Sequence, residues 1–434
     1  MGTCISNVCA VLNDGAACDD GLACTPTSSC FNGMCQGTCP TPPECTLPVQ
    51  PFACDVNMPT TCALRSANEG GSCGAIGSQC FDGGCTPWLF FTPVNFTSTL
   101  ANTPYPTGPW NLASSDGGIC DTVISTTGNN ATQLLGDCGS PPLTSTLNDA
   151  GVMVILSTGL DVGANARLSF VGDKPVQLVV IGNASLRGVV SVAPILTDAG
   201  LPAGSRPSLC VDASAGTANR QAGGGGGFGG TGGLGGQGGA SGGSSMPSIT
   251  PFRGGCPGAA GFRPTGTSAA GVGGGALHLI VADTLTFNGG VLTASGGGGE
   301  GGVIDNEGGG GGGSGGTVIV EARILNLNNG FVTANGGGGG EGGANGGAGA
   351  PGALGPINSA TAAPAADGAG NGGIGGVGGD NGGANGGTGA NSGGSRGGGG
   401  GGGAAGVVYV RGSSSCIRGN GITSGAQPMP ILCN

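Results

Sequence analysis

Residues 226–243 read GGF-GGT-GGL-GGQ-GGA-SGG, a strict beat of three. An α-helix repeats every 3.6 residues and a pleated strand every two, so neither carries this pattern. Three residues per turn is the geometry of the polyproline II helix, which makes no internal hydrogen bonds. Its all-glycine counterpart, polyglycine II, can pack side by side. Bare Cα atoms let neighbouring backbones approach and exchange N–H···O=C bonds. The third-position residues Phe228, Thr231, Leu234, Gln237 and Ala240 are then expected to line one exposed edge. A weaker echo of the beat occupies 372–379. The competing reading is a flexible glycine-rich linker.

Outward from that tract the chain repeats itself. ADTLTFNGGVLTASG (282–296) aligns without gaps on ARILNLNNGFVTANG (322–336), 40 residues on. Each copy follows an apolar segment, ALHLIV (276–281) or TVIVE (317–321). VVYVRGSSSCIRGNGITSG (407–425) is a degenerate third copy, and VVIGNASLRGVVSVA (179–193) an earlier relative. Apolar and polar residues alternate from about residue 150, with Gly or Asn turns and no helical periodicity. The expected fold is all-β: a β-solenoid, or a β-sandwich-like repeat domain, with polyglycine II inserts at 211–274, 296–316 and 336–406. Asn288, Asn328 and Asn329 sit at turns, where Asn tolerates left-handed backbone. Tracts that recur at one point of a repeated unit argue against simple linkers, and antiparallel packing between them is expected.

The first 85 residues read differently. Thirteen of the 19 cysteines lie between Cys4 and Cys85. NDGAAC (13–18) returns as NEGGSC (68–73), and CFNGMC (30–35) as CFDGGC (80–85). Asn-Gly and Asp-Gly favour tight hairpins. With few apolar residues, such a module is held by disulfides. Zinc is disfavoured, because the C-x2-C pairs of cysteine-only sites are missing and His278 is the one histidine. Thirteen cysteines leave one without a partner inside the module. The remaining six suggest bridges Cys120–Cys138, Cys210–Cys256 and Cys416–Cys433. The chain thus divides into a disulfide module (1–85), an aromatic-rich cap with entry strands (86–150), and the glycine-rich repeat domain (151–434).

Glycine makes up 106 of 434 residues, about a quarter, against a usual share of roughly 7%. Charged residues are 8% and the net charge is −11, with Lys174 the one lysine. This balance disfavours nucleic acid and anionic membranes as partners. No stretch reaches the 18 apolar residues of a membrane span. The start, MGTCISNVCA, lacks the basic region and apolar run of a signal peptide. With the cysteines, that suggests an extracellular mature chain from which the export signal is gone. NFT (95–97), NAT (130–132) and NAS (183–185) are glycosylation sequons.

Trp88, Phe90, Tyr105 and Trp110 form an aromatic cluster, read either as a hydrophobic plug over the next domain or as a sugar-stacking platform. Catalytic chemistry is thinly represented. His278 lies between Leu277 and Leu279 inside a strand, as a packed or solvent-facing residue. Glu300 and Glu341 recur in GGGGEGG and could form an acid pair on one face, or serve as exposed charges limiting tract association. No phosphate-cradling or metal-binding motif and no cofactor signature stands out.

The C-x4-C units with FNGMC, followed by SGG-TVIVEA-type strands, resemble bacterial secreted surface proteins with cysteine-rich modules ahead of glycine-rich β-solenoids. The GGx beat resembles the polyglycine II bundles of phage tail-fibre adhesins and glycine-rich antifreeze proteins. These resemblances imply a non-enzymatic structural or adhesive surface protein, self-associating into a fibre or surface layer or bound to another surface protein. The alternatives are a carbohydrate- or receptor-binding adhesin tip, using Trp88, Phe90, Tyr105, Trp110 or Phe228, Thr231, Leu234 and Gln237, and a β-helix polysaccharide-active enzyme.

Overall fold

The computed structural model describes residues 17–18, 27–31, 34–38, 46–48, 64–66, 78–81, 84–87, 91, 93–95, 106 and 108–426, apart from 195–199, 206–209, 212, 265, 345–346 and 368–371. The described residues are all-β, with no helix and therefore none able to cross a membrane. The chain divides into two compact units: residues 1–89 with 98–105, and residues 90–97 with 106–434.

In the first unit the repeated cysteine motif makes the same hairpin twice. Thr27–Phe31 pairs antiparallel with Met34–Thr38, placing Cys30 opposite Cys35. Ser78–Phe81 pairs with Gly84–Pro87, placing Cys80 opposite Cys85. Two residues bridge each pair, Asn-Gly in one and Asp-Gly in the other, the composition that closes a two-residue turn.

The second unit stacks its strands in six tiers, most of them parallel. Trp110–Leu112 and Cys120–Ser125 form tier one. Tier two is Met153–Ser157, Leu160–Val162 and Ala166–Val171. Tier three is Val176–Val180, Ala184–Leu186 and Val189–Ser191. In tiers four to six the first two arms fuse into one long strand: Ala276–Phe287 with Val291–Thr293, Thr317–Asn326 with Phe331–Thr333, and Val407–Ile417 with Ile422–Ser424. Equivalent arms pair parallel from tier to tier. Thr132–Gly136 and Thr144–Leu147 add antiparallel edges beside tiers one and two, so both sheets are mixed. The 40-residue repeat appears directly as register: Ala276 faces Thr317, but Thr284 faces Ile324, so one irregularity drops the offset from 41 to 40.

Alternation fills the space between the two sheets. Val176, Leu178 and Val180 of tier three point inward with Leu277, Leu279 and Val281 of tier four and Val318, Val320 and Ala322 of tier five. Burying each aliphatic side chain contributes about 1.5–3 kcal/mol. The Cys120–Cys138 and Cys210–Cys256 disulfides are present, with Cα–Cα distances of 5.1 and 5.6 Å. Cys416 is disulfide-bonded as well, and Cys433 lies outside the described residues.

The glycine tracts run between the last arm of one tier and the first arm of the next. Glycines 308–313 and 397–403 are buried without forming pleated strands. Their N–H groups turn successively to three neighbours. Gly309, Gly312 and Gly315 donate to Gly398, Gly401 and Ala404; Gly310, Gly313 and Gly316 to Glu300, Gly297 and Ala294; Gly311 and Ser314 to Ala259 and Cys256, all with N···O of 2.7–3.0 Å. The carbonyls of the same tract accept from Gly223 and Gly226, from Gly271 and Gly274, and from Gly337 and Gly340. One extended chain therefore has six bonded neighbours. Tract 397–406 is also six-coordinate, bonded to 334–343, 220–226, 384–390, 309–315, 233–236 and 373–379.

The expected antiparallel packing is corrected here. Tract 309–316 runs parallel to 398–404, 223–226 and 271–274 and antiparallel to 294–300, 256–259 and 337–340. Three residues per turn return every third N–H to the same neighbour whichever way that neighbour runs, so direction is free.

The bundle leaves no room for a side chain at its centre. A Cβ on Gly313 would come closer than 3.0 Å to the backbone of Val272, and one on Gly312 closer than 3.0 Å to that of Gly337. Neither neighbour can retreat without breaking its own bonds. Gly313→Ala is therefore expected to lower unfolding free energy by about 3 kcal/mol or more. Gly383→Ala, where nothing lies within 4 Å, should change it by less than about 1 kcal/mol. Denaturant unfolding of the two variants measures the contrast.

Candidate functional site

Whether a tract is interior or surface follows from its third residue. Where the tract is six-coordinate, the sequence is nearly pure glycine. Where one side faces solvent, every third position can carry a side chain. In 226–243, Thr231 is exposed and Leu234 is 51% exposed. In 372–379, Ile374 and Val377 are 40% and 44% exposed. These two tracts flank a third, 384–391: Gly386 and Gly389 donate to the carbonyls of Thr231 and Leu234, while Gly387 and Ala390 donate to Val377 and Ile374. The result is a backbone-bonded outer wall carrying Leu234, Ile374 and Val377. Gln237 closes its end in left-handed backbone (φ 59°), with its side-chain Nε2 on the Ser392 hydroxyl at 3.0 Å.

Phe228 does not share that edge, contrary to the sequence expectation. It is 0% exposed and packs with Ile249, Ile319, Val407 and Tyr409 on the outer face of the larger sheet. The guanidinium of Arg253 lies 4.8 Å from its ring centroid. Burial pushes the Arg253 pKa down. The beat of three says which side of the tract a residue occupies; near the tract's start that side is covered by the sheet. Ala240 is also buried.

Trp110 lies within the core, 0% exposed, with its indole Nε1 donating to the Pro142 carbonyl at 3.1 Å. It offers no face to a sugar. Trp88, Phe90 and Tyr105 lie outside the described residues.

Beneath Phe91–Asn95 and Ile249–Arg253 lies a polar cluster that alternation alone does not reveal. Residues 177, 278, 319 and 409 stand opposite one another across four tiers, and 280, 321 and 411 form the next outward row. His278 and Glu321 are 0% exposed, with Nε2 2.9 Å from Glu321 Oε2. The same carboxylate accepts the Val94 N–H at 2.8 Å and the Arg411 guanidinium at 3.2 Å. With both carboxylate oxygens already accepting from Val94 and Arg411, His278 Nε2 is placed as a further donor to them. Nδ1 then faces Gln177 Nε2 at 3.4 Å, and the same Gln177 Nε2 donates to the Asn95 carbonyl at 2.9 Å. Phe252 meets the imidazole edge-on at 6.1 Å. His278 is thus a packed strand residue between Glu321 and Gln177, and it is those two that clip the 93–95 strap to the sheet. Desolvation, and then the Glu321 charge, push the pKa of the nearby Tyr409 up.

Glu300 and Glu341 do not form an acid pair; Glu300 shares Arg263 with Glu307 instead, each at 3.5 Å. Glu300 is exposed, accepting the Ala269 N–H at 2.9 Å, whereas Glu341 is 1% exposed and accepts the Ala350 N–H at 2.9 Å. Asp283, near His278 in sequence, pairs instead with Arg323. Among the described residues no cluster of three or more His, Cys, Asp or Glu could hold a metal ion. Of the sequons, Asn95 is engaged, its Nδ2 donating to the Ile249 carbonyl at 2.7 Å, while Asn130 and Asn183 are exposed. No protein-family model, curated protein or solved structure matches the chain.

Removing the Glu321 carboxylate leaves His278 Nε2 and the Val94 N–H without the acceptor they share. Glu321→Ala is expected to cost about 1–3 kcal/mol for each stranded donor in urea unfolding, and the Val94 amide should lose its protection from hydrogen exchange. Tyr409 gives an alkaline signature. Its folded pKa is raised, so its contribution is full below the unfolded value of about 10 and is lost as pH rises through the raised folded value. Tyr409→Phe should flatten the loss of stability above about pH 10 measured by thermal melting.

Proposed function

We propose that the chain is an extracellular structural or adhesive surface protein. Its tiers form a β-solenoid, its glycine tracts a polyglycine II bundle, and its chemistry is assembly and contact, with no catalytic centre. The supporting observation is the six-coordinate bonding of 309–316 and 397–406. So much chain committed to backbone lattice yields a stiff wall with few side chains, suited to bearing load or presenting a surface. The wall carries Leu234, Ile374 and Val377 outward, and Val303 and Ile304 are exposed elsewhere on the tracts. Exposed aliphatics on a rigid surface mark protein–protein contact. The low charge and the unmatched thirteenth cysteine of residues 1–85 favour packing against further copies or another surface protein.

The alternative role, a receptor-binding tip, draws on the same edge: Thr231, Leu234 and Gln237 stand along one rim of the wall.

Negative-stain microscopy and sedimentation of the oxidised chain at high concentration test the proposal. Regular fibres or sheets are expected, dispersed by replacing Leu234, Ile374 and Val377 together with Ser while the melting temperature stays put. Monomers alone under these conditions would count against assembly.

A further inference from the structure

The second arms of the first four tiers carry a feature the assembly proposal does not use. Their outward positions form a trough of about 720 Å³. Two rows make its floor. Asn111, Asp161, Ser185 and Thr286 stand in register across four neighbouring strands. Pro109, Gly159, Asn183 and Thr284 line the trough beside them. The direction of the first row is fixed by its neighbours: Trp110 and Leu112, Leu160 and Val162, Ala184 and Leu186, and Leu285 and Phe287 all point into the core. Four strands about 4.8 Å apart give the trough a length of about 14 Å along the stacking axis.

The side chains of Asn111, Ser185 and Thr286 make no hydrogen bond to any other described residue, and Trp110–Leu112, which carries Asn111, is an edge strand of the sheet. Asn183 Oδ1 accepts the Thr284 N–H at 3.1 Å, which holds its amide in place at the rim. The one carboxylate, Asp161, is matched by Arg187 through both oxygens at 3.2 and 3.1 Å. The trough therefore presents hydroxyls and amides at a fixed repeat with its charge internally compensated. On a chain of net charge −11, that combination disfavours an acidic polymer.

The geometry points to a binding site for an extended neutral polysaccharide, lying along the stacking axis with about three sugar rings seated over Asn111, Asp161, Ser185 and Thr286. A pyranose ring is about as long as one strand spacing of about 4.8 Å, so successive rings meet successive tiers. Ser, Thr and Asn can each donate and accept, as ring hydroxyls require. The strands hold the side chains in register before binding, which lowers the ordering cost. Pro109 offers a small apolar ledge for a ring face. Among the described residues no aromatic side chain lines the trough, so binding is expected to be weak per site and to strengthen by repetition along a polymer.

The test uses the full chain from a host that does not glycosylate Asn183, at a concentration where it is monomeric. Linear hexasaccharides of β-linked glucose, of mannose and of N-acetylglucosamine are titrated by calorimetry, with a galacturonate hexamer as the anionic control. At least one neutral hexasaccharide should bind with Kd near or below about 1 mM. Its trisaccharide should bind within a few-fold of it, and the monosaccharide should not bind measurably. Ser185→Arg should weaken binding at least about tenfold; Thr286→Val, which keeps shape and removes the hydroxyl, should weaken it several-fold; Ser415→Arg, on the exposed part of tier six, should leave it unchanged. If Ser185→Arg does not fold, the Thr286→Val comparison decides. The idea is overturned if no neutral hexasaccharide binds up to about 10 mM, if folded variants bind as well as the parent, or if the acidic hexamer binds more tightly. Because the measurement is made on dispersed chains, its failure leaves the assembly proposal standing, and failure to assemble leaves the trough standing.

Discussion

One interaction governs the second unit: a backbone N–H to a carbonyl on a neighbouring chain, made without any side chain between them. In the tiers this bond joins parallel strands. In the tracts it joins glycines that turn by a third of a circle per residue, so each chain reaches up to six others. Ordering a glycine costs about 1–2 kcal/mol of backbone entropy, while one hydrogen bond returns a net of about 0.5–1.5 kcal/mol. A lone tract cannot close that gap. It closes only where the ends are already fixed, by strands that enter a packed core and, for the first tract, by Cys210–Cys256. The bundle therefore depends on the tiers, and the expected loss in Gly313→Ala is a loss of lattice as much as of local fit.

That dependence explains the composition. Between the sheets, Val, Leu and Ile alternate at period two because only one face of each strand is buried. Inside the bundle every face is occupied by backbone, so period vanishes and glycine runs on, as at 308–313 and 397–403. At the wall one face opens to solvent and period three emerges, with Thr231, Leu234, Ile374 and Val377 turned outward. Three environments produce three sequence patterns from the same bond.

Much of this was legible in residue order. The 40-residue alignment of 282–296 with 322–336 is the register seen between those strands, Val291 facing Phe331. The hairpins at CFNGMC and CFDGGC follow from Asn-Gly and Asp-Gly. The bridges Cys120–Cys138 and Cys210–Cys256 came from adjacency along the chain. What was not legible depends on packing between distant segments. Phe228 obeys the beat of three, but the beat does not say that a sheet lies over its side of the tract. His278, Glu321 and Arg411 are far apart in sequence, and only the register brings them onto one outward face. The strap that buries them, 93–95, carries no periodic signal at all. The trough was hidden for the same reason: Asn111, Asp161, Ser185 and Thr286 are ordinary strand residues until four tiers align them.

Why the tracts join the tiers without a break is visible in one ladder. Ala294 donates to Thr333, Gly296 to Asn335, Gly299 to Gly338 and Gly302 to Glu341. The partner offset stays constant at 39 while the step between donors widens from two residues to three. The same two chains thus pass from a parallel sheet into the glycine bundle at unchanged separation, because one hydrogen-bond length sets the spacing in both. Chains leaving adjacent tiers are already at bonding distance when glycine begins. The tiers act as a template that delivers glycine chains in register, and the length of each insert decides how many neighbours it reaches. The short insert between tiers four and five supplies the central tract. The long one between tiers five and six supplies the second six-coordinate tract and two of the outer wall's three chains, the third being 226–243 from the insert between tiers three and four. An insertion that kept the beat of three would extend the wall outward, whereas one residue more or less would rotate every following N–H to the wrong neighbour.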